Sequence, residues 1–158
     1  MHLKAIVHED YTNYRLPAML LGVCYCDFKC CREDRNSYCQ NSPVFMMPTF
    51  EMSDEEIVRA YLDNPLTHAV VIAGLEPFYQ QTEEVLSFAE TFRKATPDDI
   101  VIYTGYYPDE VREPLERLRP LGNIYLKFGR FRAGDSPHLD AVLGVELANR
   151  EQYGMRLC

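Results

Sequence analysis

Short unbroken apolar runs alternate with stretches of helical periodicity along most of this chain. "LKAIVH" (3–8) and "AMLLGV" (18–23) each predict a strand, separated by a polar, proline-containing connection. "SDEEIVRAYLDN" (53–64) predicts a helix, because Ser53 and Glu56 stand at the spacing of a capping box. Ile57, Ala60 and Tyr61 supply its apolar stripe, and Pro65 marks its exit. "HAVVIAG" (68–74) is too short for a helix and predicts a buried strand. "QQTEEVLSFAETFRKA" (80–95) carries Val85, Phe88, Ala89 and Phe92 at helical spacing. "DIVIYTG" (99–105) predicts a strand, "DEVREPLERLRP" (109–120) a helix constrained by Pro114, and "NIYLKFG" (123–129) a strand. "AVLGVEL" (141–147) predicts one more.

This alternation implies an α/β fold with parallel strands joined by right-handed crossovers. Near-continuous apolar strands are what a sheet covered on both faces requires. In such sheets ligands gather outside the carboxyl ends of the strands, which gives any candidate site a positional test. With 158 residues and neither repeats nor linkers, the reading is one domain over 1–158, interrupted by a long loop at 24–42.

Charge narrows the function. A net charge of −8 disfavours a nucleic-acid surface, which needs clustered lysine and arginine, and disfavours an anionic membrane. "MHLKAIVHEDYTNY" lacks the apolar core of a signal peptide, and no window has the length of a membrane span. The expectation is a cytoplasmic protein whose thiols stay reduced.

Five of the six cysteines fall in that loop, "CYCDFKCCREDRNSYC", and the sixth is Cys158. Clustered thiols in a reducing compartment hold metal or do redox chemistry more often than they form disulfides. Thiolates suit zinc, copper(I) or iron–sulfur clusters. Spacing alone leaves zinc, an iron–sulfur cluster and incidental thiols all open, since there is no second C-x2-C pair and adjacent Cys30 and Cys31 point in different directions. The four histidines are scattered without ligand spacing, and the acidic pairs near Asp54 and Asp98 belong to helix starts and loops rather than to an acid–base pair.

The words around the cysteines go further. "CDFKC" (26–30) followed by "YCQN" (38–41) resembles the cluster loop of radical S-adenosylmethionine enzymes, with Phe28, Tyr38 and Asn41 matching its aromatics and asparagine. The arrangement is C-x3-C-x8-C, whereas the family's third cysteine usually stands three positions after the second, here Glu33. "AGLEPF" (73–78) resembles the family's glycine–glutamate–proline segment with Leu75 inserted. "YTGY" (103–106) resembles a segment of anaerobic ribonucleotide reductase activating proteins, "KFGRF" (127–131) follows the next strand, and "LGVELANR" (143–150) sits where the closing strand of that group lies.

The resemblance implies a partial, open (β/α) barrel-like parallel sheet of the compact radical S-adenosylmethionine type. It implies a 4Fe–4S cluster on Cys26, Cys30 and Cys39, with Cys24 and Cys31 as non-ligands, and one iron left for S-adenosylmethionine. Reductive cleavage of that cofactor would give a 5′-deoxyadenosyl radical. Cofactor contacts would come from Phe28, Ala73, Gly74, Glu76, Thr104 and Lys127; no residue is assigned as a catalytic acid or base. Glu76 would accept from the cofactor's ammonium, unless its loop is a plain strand-to-helix turn. Lys127 would pair with the carboxylate, or else snorkel to solvent from a sheet edge. Phe28 would lie near the adenine, or only pack under its loop.

The implied activity is oxidoreductase chemistry that installs a glycyl radical on the large subunit of an anaerobic ribonucleotide reductase, with an electron donor of flavodoxin or ferredoxin type. The alternatives are a radical enzyme for a small molecule or peptide, and a non-catalytic zinc-binding module.

Overall fold

The computed structural model describes residues 1–34 and 39–158. Its elements in chain order are β1 (His2–Leu3), β2 (Ala5–Asp10), β3 (Ala18–Gly22), α1 (Lys29–Glu33), α2 (Ser42–Met46), β4 (Phe50–Glu51), α3 (Asp54–Leu62), β5 (Ala69–Ala73), α4 (Thr82–Ala95), β6 (Asp99–Tyr103), α5 (Arg112–Leu118), β7 (Ile124–Phe128), β8 (His138–Asp140), β9 (Val145–Leu147) and β10 (Tyr153–Arg156).

Six of these strands form one sheet in the order β10-β7-β6-β5-β3-β2. The four inner strands run parallel, as the alternation of runs predicts, while β2 and β10 pair antiparallel at the edges. The fold is therefore α/β on a mostly parallel open sheet. Every residue of β5 and β7 is buried, which is why β5 is apolar throughout and β7 is apolar but for Lys127.

Alternation along the strands divides the core. Val70, Ile72, Ile100, Ile102, Ile124 and Leu126 pack under the helices with Ile57, Val85, Phe88 and Leu118. The opposite face presents Ala69, Val71, Ala73, Val101 and Tyr125, packed against Tyr14, Leu143 and Leu147. Helices thus cover one face, while the second is covered by the β2–β3 connection and the small β8–β9 hairpin.

The capping box of α3 is present: Ser53 Oγ accepts from Glu56 N–H at 3.2 Å, and Ser53 N–H donates to Glu56 Oε2 at 2.8 Å. Pro114 stands inside the first turn of α5, where no N–H partner is needed, so the helix tolerates it.

The strand expected over 141–147 is corrected. Asp140 Oδ1 accepts the N–H groups of Val142 and Leu143 at 3.0 and 2.8 Å, which bends 141–144 into a turn. Only Val145–Leu147 is strand, and it pairs with β8 outside the main sheet. The strand that closes the sheet is Tyr153–Arg156. No described helix is long and apolar enough to cross a membrane.

Candidate iron–sulfur site

The carboxyl ends of β5, β6 and β7 open into one cavity, and the cysteine segment closes it from the other side. Cys26, Cys30, Cys31 and Cys39 all line it. No disulfide joins any of the cysteines. The turn that brings Cys26 and Cys30 round is held at Phe28, whose φ of 55° is left-handed and costly for an aromatic residue. That geometry aims the Phe28 N–H at Cys26 Sγ, 3.2 Å away. The Phe28 ring also lines the cavity and packs edge-on against Phe45, with centroids 5.1 Å apart.

The thiols are near neighbours. Burial pushes Cys26 up to about 12, with Glu76, Asp27 and Cys30 adding to the effect. Burial also raises Cys31, whose side chain hydrogen-bonds Cys39 and feels Cys30. Cys24 stands apart: it is 2% exposed, its N–H donates to Gln81 Oε1 at 2.9 Å, and it does not line the cavity. Adjacent Cys30 and Cys31 do project differently from α1, yet both reach the same space.

The strand ends supply the floor. Gly74 has a φ of 94°, which suits glycine, and its carbonyl accepts from Asn41 Nδ2. This bond ties the cysteine segment to the β5 loop. Glu76 is nearly buried and spans two strand ends: Thr104 Oγ1 donates to its Oε1 at 2.7 Å, Phe78 N–H to the same oxygen at 3.2 Å, and Gly105 N–H to Oε2 at 2.8 Å. Burial outweighs these bonds and raises its carboxyl to about 7. Ala73 is buried within β5 and is not among the lining residues.

Lys127 answers one of the alternatives left open by the sequence. It lies on β7, between β6 and β10, and is 8% exposed, so it does not snorkel from an edge. It shares the helix-free face with Tyr125, two residues earlier. Its Nζ donates to Gly129 O at 3.1 Å, and burial pulls it down to about 8 against the favourable charges of Cys30 and Glu76.

Sequence reading gave Arg130 no role. Its side chain is 2% exposed and clamps the cysteine segment to the sheet: Nε donates to Glu33 Oε2 at 2.9 Å, Nη2 to Glu110 Oε1 at 2.7 Å, and Nη1 to the Gly105 carbonyl. Gln152, Tyr103 and Phe131 also line the cavity without having been singled out. Its partners Glu33 and Glu110 lie 97 and 20 positions away, so no local signal pointed to Arg130. Tyr38, quoted above as a matching aromatic, lies outside the described residues.

A family model described as a 4Fe-4S single cluster domain matches residues 17–133, from the start of β3 to the loop after β7. Comparisons with curated proteins and with solved structures found no match.

The residues present fit such a cluster. Four thiols line one cavity, one already accepts a backbone N–H, and a buried ammonium stands within electrostatic reach of Cys30. An iron–sulfur cluster ligated by thiolates is anionic overall, so a buried cation beside it is compensated rather than stranded. Among the described residues, no three histidine, cysteine or acidic side chains converge as ligands of a single metal ion do. Thiolates at separate corners of a cube stand wider than the four ligands of one zinc.

Proposed function

The chain belongs to the 4Fe-4S single cluster domain family, and from that premise we propose that it holds its cluster on Cys26, Cys30 and Cys39 and acts as a radical S-adenosylmethionine enzyme. One observation carries this reading: the cysteines share a cavity with a buried lysine and a glycine–glutamate loop, at the carboxyl ends of parallel strands. A purely electron-carrying cluster needs thiolates and shielding, but no adjoining pocket floored by a cation and a carboxyl group.

When bound, the cluster would supply one electron, and S-adenosylmethionine the 5′-deoxyadenosyl group that removes a hydrogen atom. The chain's own part is positioning. Lys127 offers a charge for the cofactor's carboxylate. A carboxylate has about four acceptor sites, and three donors already occupy Glu76, which leaves one for the cofactor's ammonium. Gly74 permits close backbone approach, Thr104 holds Glu76 in place, and the Phe28 ring supplies an apolar wall. Together with Leu75 and Phe131 it excludes water from the reacting atoms.

The substrate that fits the resemblance of "YTGY" is a glycine of an anaerobic ribonucleotide reductase large subunit, with reducing power from a flavodoxin or ferredoxin. The widened C-x8-C spacing favours a second reading within the same chemistry, a different peptide or small-molecule hydrogen donor. The test is anaerobic reconstitution with iron and sulfide, reduction, and addition of S-adenosylmethionine. Formation of 5′-deoxyadenosine and methionine is expected, and a glycyl electron-spin signal should follow when the reductase is added. A fully loaded cluster that leaves the cofactor intact sinks the radical reading; cleavage without a glycyl signal favours the second substrate class.

A further inference from the structure

We infer that Gln152 is a substrate-binding residue, whose side-chain NH2 group donates to a peptide carbonyl beside the substrate glycine. The inference rests on the radical S-adenosylmethionine reading above and adds what this chain grips in its substrate: peptide backbone rather than a charged small molecule.

Gln152 is 3% exposed and lines the cavity from the turn that leads into β10, outside the segment 17–133 that matches the family model. Its amide has one orientation. The Ala148 N–H stands 3.0 Å from Oε1 and can only donate, so the oxygen must face it. The NH2 end is left without an acceptor among the described residues. The turn itself is anchored: Gln152 N–H donates to Asn149 O at 3.2 Å. The Glu151 carboxylate accepts from the Tyr107 hydroxyl at 2.8 Å and from Arg132 Nε at 3.2 Å.

The other polar donors at the cavity already have acceptors within the fold, or are exposed. Thr104 Oγ1 and the Gly105 N–H donate to Glu76, Asn41 Nδ2 to the Gly74 carbonyl, and the Tyr103 hydroxyl to Asn13 O at 2.6 Å. Gln40 is exposed. Glu76 and Lys127 are the charged lining groups among the described residues, and the reading above gives both to the cofactor. What remains is one fixed, neutral donor. It is matched by a neutral oxygen, because a second carboxylate would enter with no cation left to compensate it. A glycine residue has no side chain, so its flanking peptide units are its only polar groups. A donor aimed at one of their oxygens is how a site can hold it.

The experiment measures equilibrium binding of a blocked alanine pentapeptide with glycine at its centre to the anaerobically reconstituted full chain with S-adenosylmethionine bound. Two analogues exchange the oxygen of one or the other carbonyl beside the glycine for sulfur, a weak hydrogen-bond acceptor. One of the exchanges should weaken binding to the native chain about five-fold, the worth of a single neutral hydrogen bond. Gln152→Leu should bind the unmodified peptide about five-fold more weakly than the native chain and should not respond to that exchange. Gln152→Met, of the same length as the native side chain, repeats the comparison should leucine disturb the turn.

A native chain that does not bind the peptide, or that binds both sulfur analogues as tightly as the parent, overturns the inference whatever the variants do. So does an exchange that costs the native and substituted chains equally, because the carbonyl is then held by another group. Cleavage of S-adenosylmethionine by the native chain, assayed alongside, separates this inference from the reading it rests on. Cleavage without coupling between Gln152 and the carbonyl sinks the inference alone. Coupling in a chain that leaves the cofactor intact keeps the peptide contact and removes the radical reading, and a chain that takes up no cluster removes both.

Discussion

Arg130 Nε lies 2.9 Å from Glu33 Oε2, joining the loop after β7 to the end of the cysteine helix α1 across most of the chain's length. The same guanidinium holds Glu110 and the Gly105 carbonyl, and it stacks near the rings of Tyr106 and Tyr107. Replacing it by methionine leaves two carboxylates and a carbonyl without their shared donor. Glu33 is partly open to water, which reduces the loss below that of a fully buried pair. Arg130→Met should therefore destabilise the fold by about 2 kcal/mol and speed iron loss to a chelator, with Arg130→Lys intermediate because an ammonium lacks the fork. Denaturant unfolding and timed chelation measure the two effects; an unchanged chelation rate would show that the clamp does not hold the cluster segment.

Glu110, on the other side of this clamp, is held at about 2, first by its hydrogen bond to Arg130 and further by Lys29. A depressed carboxyl stabilises the fold above its ordinary value of 4.5 and loses that contribution as pH falls toward about 2. The contribution should be missing from Glu110→Gln, so its unfolding midpoint should converge on that of the native chain in acid. Midpoints that stay equally separated over that range would contradict it.

Glu76 has the opposite sign. Its carboxyl titrates near 7 in the fold against an ordinary 4.5, with Lys127 the charged group facing it. Between those values the folded chain holds a proton that the unfolded chain has released. The stability it contributes is present below about 4.5, declines as pH rises, and is gone above about 7. Native protein should thus lose on the order of 3 kcal/mol relative to Glu76→Gln across that window. The variant should also carry a constant penalty of about 1 kcal/mol, since an amide cannot accept from both Thr104 and Gly105 with the same geometry. Stability curves of the two chains that run parallel with pH would count against the raised carboxyl.

Much of this site was legible because the parallel strands are buried on both faces. Ala69–Ala73 reads as an unbroken apolar run and Ile124–Phe128 as one broken by Lys127 alone, and the rule that ligands collect at the carboxyl ends of such strands agrees with the positions of Gly74, Glu76, Thr104 and Lys127 that the resemblance singled out. The edge was not legible. "YGMR" in β10 has no apolar alternation, and its Gly154 is glycine because a Cβ there would fall 2.6 Å from Leu143 Cγ and against Asp140. The clamp of Arg130 was hidden for a different reason: its partners are 97 and 20 positions away, and no local pattern encodes such a pairing.

Lys127 sets stability against function. Its burial disfavours the charged form, and no carboxylate pairs with it directly among the hydrogen bonds it makes; Gly129 O is its acceptor. Lys127→Met removes that cost and fits an apolar strand, so the fold should gain about 1–3 kcal/mol. S-adenosylmethionine affinity should nevertheless fall at least tenfold, which equilibrium binding to the reconstituted chain would measure. A stabilised variant that binds the cofactor as tightly as native protein would remove the lysine from the site.

The cysteines themselves separate a cluster from incidental thiols. Alanine at Cys26 or Cys30 removes a thiol from the cavity, and the incomplete set should retain less than half of the native iron and sulfide after anaerobic reconstitution. Alanine at Cys24 removes a buried thiol that hydrogen-bonds Thr49 and does not line the cavity. Its cost is one of packing, roughly 1 kcal/mol, and its iron and sulfide content should match the native chain. Quantifying both elements in all three variants, with unfolding measured alongside, distinguishes ligand loss from general destabilisation. If Cys24→Ala lost iron as fully as Cys26→Ala while remaining folded, the ligands would have to be sought elsewhere among the thiols, and the cavity at the strand ends would no longer define the site.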